Sequence, residues 1–117
     1  MPQANVEVVR RLYEIWQRDG FGVVRDLMDP NIEYVNPAYA VEPGTRRGYD
    51  GFALAVQSMN SIYPGRRLLT VTFYDAGSKV AVRVRVVARG AGSDVEVDTE
   101  RGYVFDLRDG RIIRYAW

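Results

Sequence analysis

The chain of 117 residues contains no cysteine and no histidine. The first absence excludes disulfides and thiol nucleophiles, and the second removes the commonest metal ligand and general base of proteins. The formal net charge is only +1, which gives no reason to expect binding to nucleic acid or to a membrane surface. No apolar run approaches the about 20 residues of a membrane-spanning helix. The first residues also lack the basic and apolar segments of a signal peptide, so we expect a cytoplasmic protein.

The remaining composition is typical of a globular domain. Apolar residues make up 47% of the chain and charged residues 26%, and the length allows one substantial core. No internal repeat, linker or low-complexity segment interrupts the sequence. We therefore expect a single domain over residues 1–117.

The last third of the chain alternates between apolar side chains and others, which is the pattern of strands with one buried face. In residues 80–86, 97–107 and 113–117, most of the alternate positions are apolar or aromatic. The positions between them in the first two runs are mostly charged. An earlier run predicts a further strand with Leu69 and Phe73 pointing inward. A sheet with one apolar face needs a cover, so the pattern predicts a pocket under helices.

Charge pairing predicts the register of the middle hairpin. If Arg89 faces Glu96, opposite charges meet on the outer face of the sheet while apolar groups share the inner face. The same register places Arg101 opposite Val84 on the inner face, with Tyr103 two residues further along. A guanidinium on an apolar face needs water, a carboxylate or an anionic ligand.

Three helices are predicted in the first half of the chain from the spacing of apolar residues. The first has Asn5 as its N-cap and Gly20 as its stop. A short second helix covers residues 21–28, and the third has Asp50 as its N-cap and runs to residue 63. The apolar faces of the first and third helices contain Val9, Leu12, Tyr13, Trp16, Phe52, Ala55, Val56 and Met59.

The segments between the helices and strands are predicted from turn-forming residues. Residues 32–36 alternate and predict a short first strand, and the segment 37–48, with its prolines and glycines, predicts a long loop. We expect turns at residues 64–65 and 108–110 and a loop at residues 90–94.

The order of these elements resembles the NTF2-like superfamily, in particular its SnoaL-like and ketosteroid-isomerase-like branch. The resemblance rests on four segments: residues 12–20 (LYEIWQRDG), 29–37 (DPNIEYVNP), 47–51 (RGYDG) and 103–113 (YVFDLRDGRII). It implies an α+β cone, in which a curved antiparallel sheet wraps around three N-terminal helices and leaves an internal pocket. This fold hosts isomerases, cyclases, dehydratases, epoxide hydrolases and binding domains, so it does not by itself name a reaction.

The resemblance to ketosteroid isomerases implies roles for several side chains. A tyrosine of the first helix in that family donates a hydrogen bond to the substrate oxygen, and Tyr13 matches it. The family's second donor falls on Tyr103. Its general base is an aspartate before a proline, and that position holds Asn36, which cannot accept a proton. We therefore take Tyr13, Asn36, Tyr103 and Arg101 as candidate catalytic residues, with Arg101 offsetting negative charge.

Other branches of the superfamily match less well. In limonene-epoxide hydrolases a tyrosine and an asparagine hold the attacking water, and Tyr34 and Asn36 match this pair. The carboxylates of that family fall on non-acidic residues near 84–86 and at Trp117, which argues against an epoxide hydrolase. SnoaL-type cyclases use an inward aspartate, for which we find no counterpart, and scytalone-dehydratase chemistry depends on histidine.

Two functions are compatible with the sequence and remain open. The first is isomerisation, cyclisation or dehydration of a hydrophobic, polyketide- or steroid-like carbonyl compound at an oxyanion-type site. The second is a non-catalytic module that binds a ligand or another protein. Neither requires a metal or an organic cofactor, and family members commonly form homodimers through the outer sheet face. The residues expected to line the pocket around a small hydrophobic or aromatic ligand are Trp16, Tyr34, Phe52, Met59, Val84, Phe105, Tyr115 and Trp117.

Overall fold

The computed structural model describes residues 2–40, 43–62, 66–89 and 96–117 and contains two helices and six strands in these ranges. Their bounds are α1 (Pro2–Asp19), β1 (Met28–Asn36), β2 (Gly44–Arg47), α2 (Gly48–Ile62), β3 (Arg67–Ala76), β4 (Lys79–Arg89), β5 (Glu96–Arg108) and β6 (Arg111–Ala116). The α+β class is confirmed. The turn expected at 64–65, residue 63 and the loop expected at 90–94 lie outside the described residues. Within the described ranges, neither helix is both long and apolar enough to cross a bilayer.

Helix α1 buries the face that its spacing predicts and ends where glycine allows it. Its four predicted core residues are all buried. Gly20 has a φ of 96°, and its N–H donates to the carbonyl of Trp16 over 2.8 Å, which closes the C-terminus. The N-cap prediction is wrong, because the helix already begins at Pro2. Asn5 instead donates from its side-chain amide to the carbonyl of Gly77 over 2.8 Å and so connects α1 to the β3–β4 turn.

The short second helix predicted over residues 21–28 does not form. Residues 21–27 make bends and turns, and β1 begins at Met28. Glycines on both sides of Phe21 disfavour a helical nucleus. The backbone carbonyls of this segment instead accept hydrogen bonds from other parts of the fold. The indole Nε1 of Trp16 donates to the carbonyl of Gly22, and the N–H of Ile112 donates to the carbonyl of Leu27, both over 2.8 Å.

Part of the loop predicted over residues 37–48 is the short strand β2, which pairs antiparallel with β1. Exposed strand residues such as Thr45 and Arg47 carry no apolar alternation, so the pattern does not reveal them. The third predicted helix forms as α2. It begins at Gly48, so Asp50 lies in its first turn and is not the cap.

The six strands form one mixed sheet in the order β2-β1-β6-β5-β4-β3. Strand β1 pairs in parallel with β6, which corrects the expectation of a wholly antiparallel sheet. The predicted hairpin register is confirmed: Arg89 pairs with Glu96, and Val84 with Arg101.

Alternation along β5 directs its side chains as predicted. Phe105 is 0% exposed and Val104 is 40% exposed, so odd-numbered residues here face the interior. In β3 the prediction fails at one position, because a register shift between Leu68 and Thr70 leaves Leu69 exposed while Leu68 packs against the core. Such a bulge reverses which neighbours face inward.

Candidate functional site

The concave face of the sheet, α1 and the second half of α2 enclose a cavity of about 740 Å³. This volume lies in the range of pockets for drug-sized ligands. Nine of the twelve predicted site residues line it: Tyr13, Trp16, Tyr34, Asn36, Met59, Arg101, Tyr103, Tyr115 and Trp117. The sheet and two helices therefore bring residues distant in sequence to one surface.

The other three predicted residues, Phe52, Val84 and Phe105, do not line the cavity. They belong to the fully buried core. The Phe52 ring packs against Tyr34, and the Phe105 ring packs against Tyr115, with ring centroids 5.1 and 4.9 Å apart. Tyr34 and Tyr115, against which the two phenylalanine rings pack, do line the cavity, and the contact of Phe52, Val84 and Phe105 with a ligand stays a prediction.

Tyrosine side chains form the polar part of the cavity wall. The rings of Tyr103 and Tyr115 are stacked with centroids 5.3 Å apart, and Tyr34 lies 5.0 Å from Tyr115. The Tyr115 side chain also partly offsets the rise that burial causes in the pKa of Tyr103. These contacts fix the rings in place, so hydroxyl groups on adjacent strands are held in defined positions toward the cavity.

Among the described residues, the hydroxyl of Tyr13 is the one buried side-chain polar group without a hydrogen-bond partner. Its side chain is 2% exposed, and its ring packs edge-on against Trp16 and Phe73 at 5.1 and 5.8 Å. A buried hydroxyl without a partner costs about 1–3 kcal/mol. Tyr13 is one of the residues that line the cavity, so we expect a ligand oxygen that reaches this hydroxyl to accept a hydrogen bond from it.

Burial raises the pKa of four of the tyrosines that line the cavity. The pKa of Tyr34 rises to about 12, those of Tyr13 and Tyr115 rise well above the ordinary value, and that of Tyr103 is also raised. These hydroxyls therefore stay protonated at neutral pH and act as hydrogen-bond donors. The nearby positive charge of Arg66 opposes the rise in each case.

The raised pKa values predict that the protein loses stability in alkaline solution. Tyrosine in the unfolded chain loses its proton near pH 10, whereas the buried hydroxyls of the folded protein keep theirs. Between about pH 10 and 12 the folded state therefore binds more protons than the unfolded state, so stability falls as the pH rises. The stabilisation is complete below this window and is lost as the pH rises through it. Denaturant unfolding followed at several pH values, together with near-ultraviolet phenolate absorbance, measures this. Complete tyrosine ionisation near pH 10 with the fold intact would contradict it.

A second group of contacts lies at the end of β1. The indole Nε1 of Trp117 donates to Oδ1 of Asn36 over 2.6 Å, and the ring of Tyr39 stands edge-on to the same indole at 6.2 Å. The guanidinium of Arg101 lies 5.9 Å from the Trp117 ring. Because Arg101 is exposed, solvent and the aromatic ring of Trp117 both stabilise its guanidinium charge on the inner face of the sheet.

Sequence reasoning missed several lining residues, and Arg66 is the most consequential. It precedes β3, and its guanidinium lies 4.8 Å from the ring of Phe21. Its neighbours Gly65 and Arg67 make the segment look like an ordinary solvated turn, so no signal in the sequence points to the cavity. The other missed polar lining residues include Gln17, Ser58, Asn60, Arg67 and Thr99.

The described part of the cavity wall contains one carboxylate, that of Asp19. This side chain is exposed and forms an ion pair with Arg18 over 2.8 Å. The hydrogen bond from Arg18 lowers the pKa of Asp19, which makes it a weak base. The site therefore offers several neutral donors and positive charges but no buried acid–base carboxylate among the described residues.

Comparison with known proteins now identifies the family. The sequence-family model of the SnoaL-like domain matches residues 9–115 of this chain. The chain belongs to the SnoaL-like domain family. This result confirms the expected membership of the NTF2-like superfamily and its cone-shaped α+β fold. No protein of curated function matches the sequence.

Solved structures with the same SnoaL-like architecture have low sequence identity to this chain. TerC, crystallised with polyporic acid, has 20% identity and a TM-score of 0.81, over 97% of this chain and 88% of that chain. A putative SnoaL-like polyketide cyclase from Jannaschia sp. CCS1 has 21% identity and a TM-score of 0.81, over 97% and 83%. A hypothetical protein with a ketosteroid isomerase-like fold from Catenulispora acidiphila DSM 44928, in complex with trimethylamine, has 14% identity and a TM-score of 0.77, over 94% and 82%. At these identities the likeness establishes the fold alone.

Proposed function

We propose that this SnoaL-like protein binds a small hydrophobic carbonyl compound of polyketide or steroid type and polarises its carbonyl oxygen. The observation that carries the proposal is the Tyr13 hydroxyl, which is buried in the cavity wall without a partner among the described residues. A ligand oxygen at this place would satisfy the hydroxyl and recover the cost of its burial.

The chemistry that such a site supports is stabilisation of an enolate-like oxygen. Neutral donors in a water-poor cavity stabilise developing negative charge more strongly than water does. Tyr13 and Tyr103 would donate to this oxygen, Asn36 would orient substrate or water, and the Arg101 guanidinium would offset the charge. Isomerisation, cyclisation and dehydration of carbonyl compounds all pass through such charge development.

Two relatives of the same fold support the choice of ligand class. TerC has been crystallised with polyporic acid, and the Jannaschia protein is described as a putative polyketide cyclase. The aromatic wall formed by Trp16, Tyr103 and Tyr115 suits a flat molecule of that kind.

A second candidate, a ligand-binding module without catalysis, is favoured by the lack of a buried carboxylate among the described lining residues. Exchange of the α-hydrogens of 2-tetralone in deuterated water separates the two candidates. An enzyme of the proposed type accelerates the exchange, because its donors stabilise the enolate that forms when water or a buffer base removes the α-hydrogen, whereas a simple binding module leaves the rate at that of the buffer.

We predict that filling the cavity abolishes binding of 2-naphthol, a small aromatic probe with one oxygen. Thr99 lines the cavity, whereas Glu100 is exposed on the other side of the same strand. Thr99→Trp should weaken the affinity measured by titration calorimetry by at least about tenfold, and Glu100→Trp should leave it unchanged. Failure of the unaltered protein to bind at about 1 mM would instead favour a protein-interaction role.

A further inference from the structure

We propose that the natural ligand is an anion at neutral pH, an aromatic or apolar acid whose charged group is bound between Arg66 and Arg101. This inference rests on the proposed function, because it assigns a charge to the hydrophobic compound that the cavity would hold. It adds a requirement that tyrosine donors alone do not impose, since these can bind a neutral carbonyl oxygen equally well.

Positive charge dominates the described wall of the cavity. Three arginines, Arg66, Arg67 and Arg101, line it, whereas the one lining carboxylate, Asp19, is already paired with Arg18. Among the described residues, no carboxylate lies within ion-pair distance of Arg66 or Arg101. On the described wall the positive charges of the arginines therefore outnumber the negative charge of the one carboxylate, and an anionic ligand would neutralise the excess.

Aromatic rings hold both guanidinium groups without using their hydrogen-bonding capacity. Arg66 lies 4.8 Å from the ring centroid of Phe21, and Arg101 lies 5.9 Å from that of Trp117. A guanidinium over a ring keeps N–H donors available at its edge, and these match the two oxygens of a carboxylate. The two guanidinium groups are thus positioned to bind a carboxylate, and neither of them has a carboxylate partner among the described residues.

The fields of the two arginines overlap at Tyr103. The positive charges of Arg66 and Arg101 both lower the pKa of Tyr103 and so oppose the larger effect of burial. The two guanidinium groups therefore both attract negative charge at the Tyr103 oxygen. A ligand oxygen that accepts a hydrogen bond from this hydroxyl would lie within the same two fields.

The rest of the cavity suits the apolar body of such a ligand. Trp16, Met59, Leu68 and Val86 line it with apolar surface. Half-buried Arg66 is less well solvated than a surface arginine, so the gain from pairing it with an anion exceeds that of an exposed ion pair. Charge at one end and apolar surface along the remainder together define an amphipathic acid.

The test compares two probes of nearly equal shape, 2-naphthoate and 2-naphthalenemethanol, by titration calorimetry on the full chain. We expect the carboxylate to bind at least about tenfold more tightly than the alcohol. Its affinity should also fall as the salt concentration rises, while that of the alcohol stays constant. Salt dependence is measured on the unaltered protein, so it does not depend on any variant folding correctly.

Three matched substitutions locate the charge effect. Arg66→Gln and Arg101→Gln should each reduce naphthoate affinity by about tenfold and leave the alcohol affinity within about twofold. Arg83→Gln removes the same charge from an exposed position of β4 that does not line the cavity, and it should change neither. Arg101 is exposed, so its variant retains the packed core.

The two ways in which the test can fail have different meanings. Equal binding of the two probes, with no effect of Arg66→Gln or Arg101→Gln, would overturn the inference of an anionic ligand and leave the proposed function intact. Absence of binding by either probe would overturn both.

Discussion

Phe105→Ala is expected to lower the free energy of unfolding by about 3–5 kcal/mol. The side chain is fully buried, and its ring lies within 4.9 to 6.5 Å of the rings of Tyr13, Trp16 and Tyr115. Removing it deletes apolar contacts and leaves a void beside the cavity wall, which the surrounding rings cannot fill without moving. A domain of this size is stable by only about 5–15 kcal/mol, so the loss is a large fraction of the total.

The measurement is urea unfolding followed by circular dichroism, with Val104→Ala as the control. Val104 precedes Phe105 on β5 but is 40% exposed, so its truncation should cost less than about 1 kcal/mol. Equal losses for the two variants would mean that β5 does not direct its odd-numbered side chains inward, and the cavity wall formed by this strand would then be wrong.

Tyr13→Phe is expected to weaken binding of 2-naphthol by about tenfold or more without destabilising the free protein. The hydroxyl has no partner in the described structure, so removing it deletes a desolvated polar group and no internal hydrogen bond. The free energy of unfolding should stay constant or rise by about 1 kcal/mol. Binding should weaken because the ligand oxygen loses a buried donor.

Tyr49→Phe is the matched control for this second experiment. The Tyr49 hydroxyl donates to the carbonyl of Met28 over 2.9 Å, so its loss should lower the free energy of unfolding by about 1 kcal/mol. Tyr49 is not among the residues that line the cavity, so the naphthol affinity of this variant should stay unchanged. Unchanged naphthol affinity in Tyr13→Phe, or a loss of stability similar to that of Tyr49→Phe, would mean that Tyr13 is only a packing residue.

Elements with a strong periodicity are the ones that can be predicted well from the sequence. The register of β4 and β5 follows from alternation combined with paired charges such as Arg89 and Glu96, and a slip of one residue would bury several charges. The inward faces of α1 and α2 follow from the helical period in the same way. Because these elements hold Tyr13, Tyr103 and Arg101, much of the cavity wall can be located from the order of residues alone.

Features that depend on a local irregularity or on tertiary contacts cannot be found in this way. Residues 21–27 have helix-like apolar spacing, but contacts with Trp16 and β6 decide their conformation. The shift between Leu68 and Thr70 reverses which neighbour faces the core. Arg66 reaches the cavity only through the path of the chain into β3. In each case the conformation depends on a contact outside the segment itself, which the local pattern of apolar and polar residues does not show.

The pairing of β6 between β1 and β5 also has a consequence for how the protein is made. Until residues 111–116 have left the ribosome, the β2–β1 pair and the three-stranded unit β5-β4-β3 have no strand to join them. Each unit then has an open edge with unpaired backbone groups, which favours association with other nascent chains. The sheet can therefore be completed only after β6 has been synthesised.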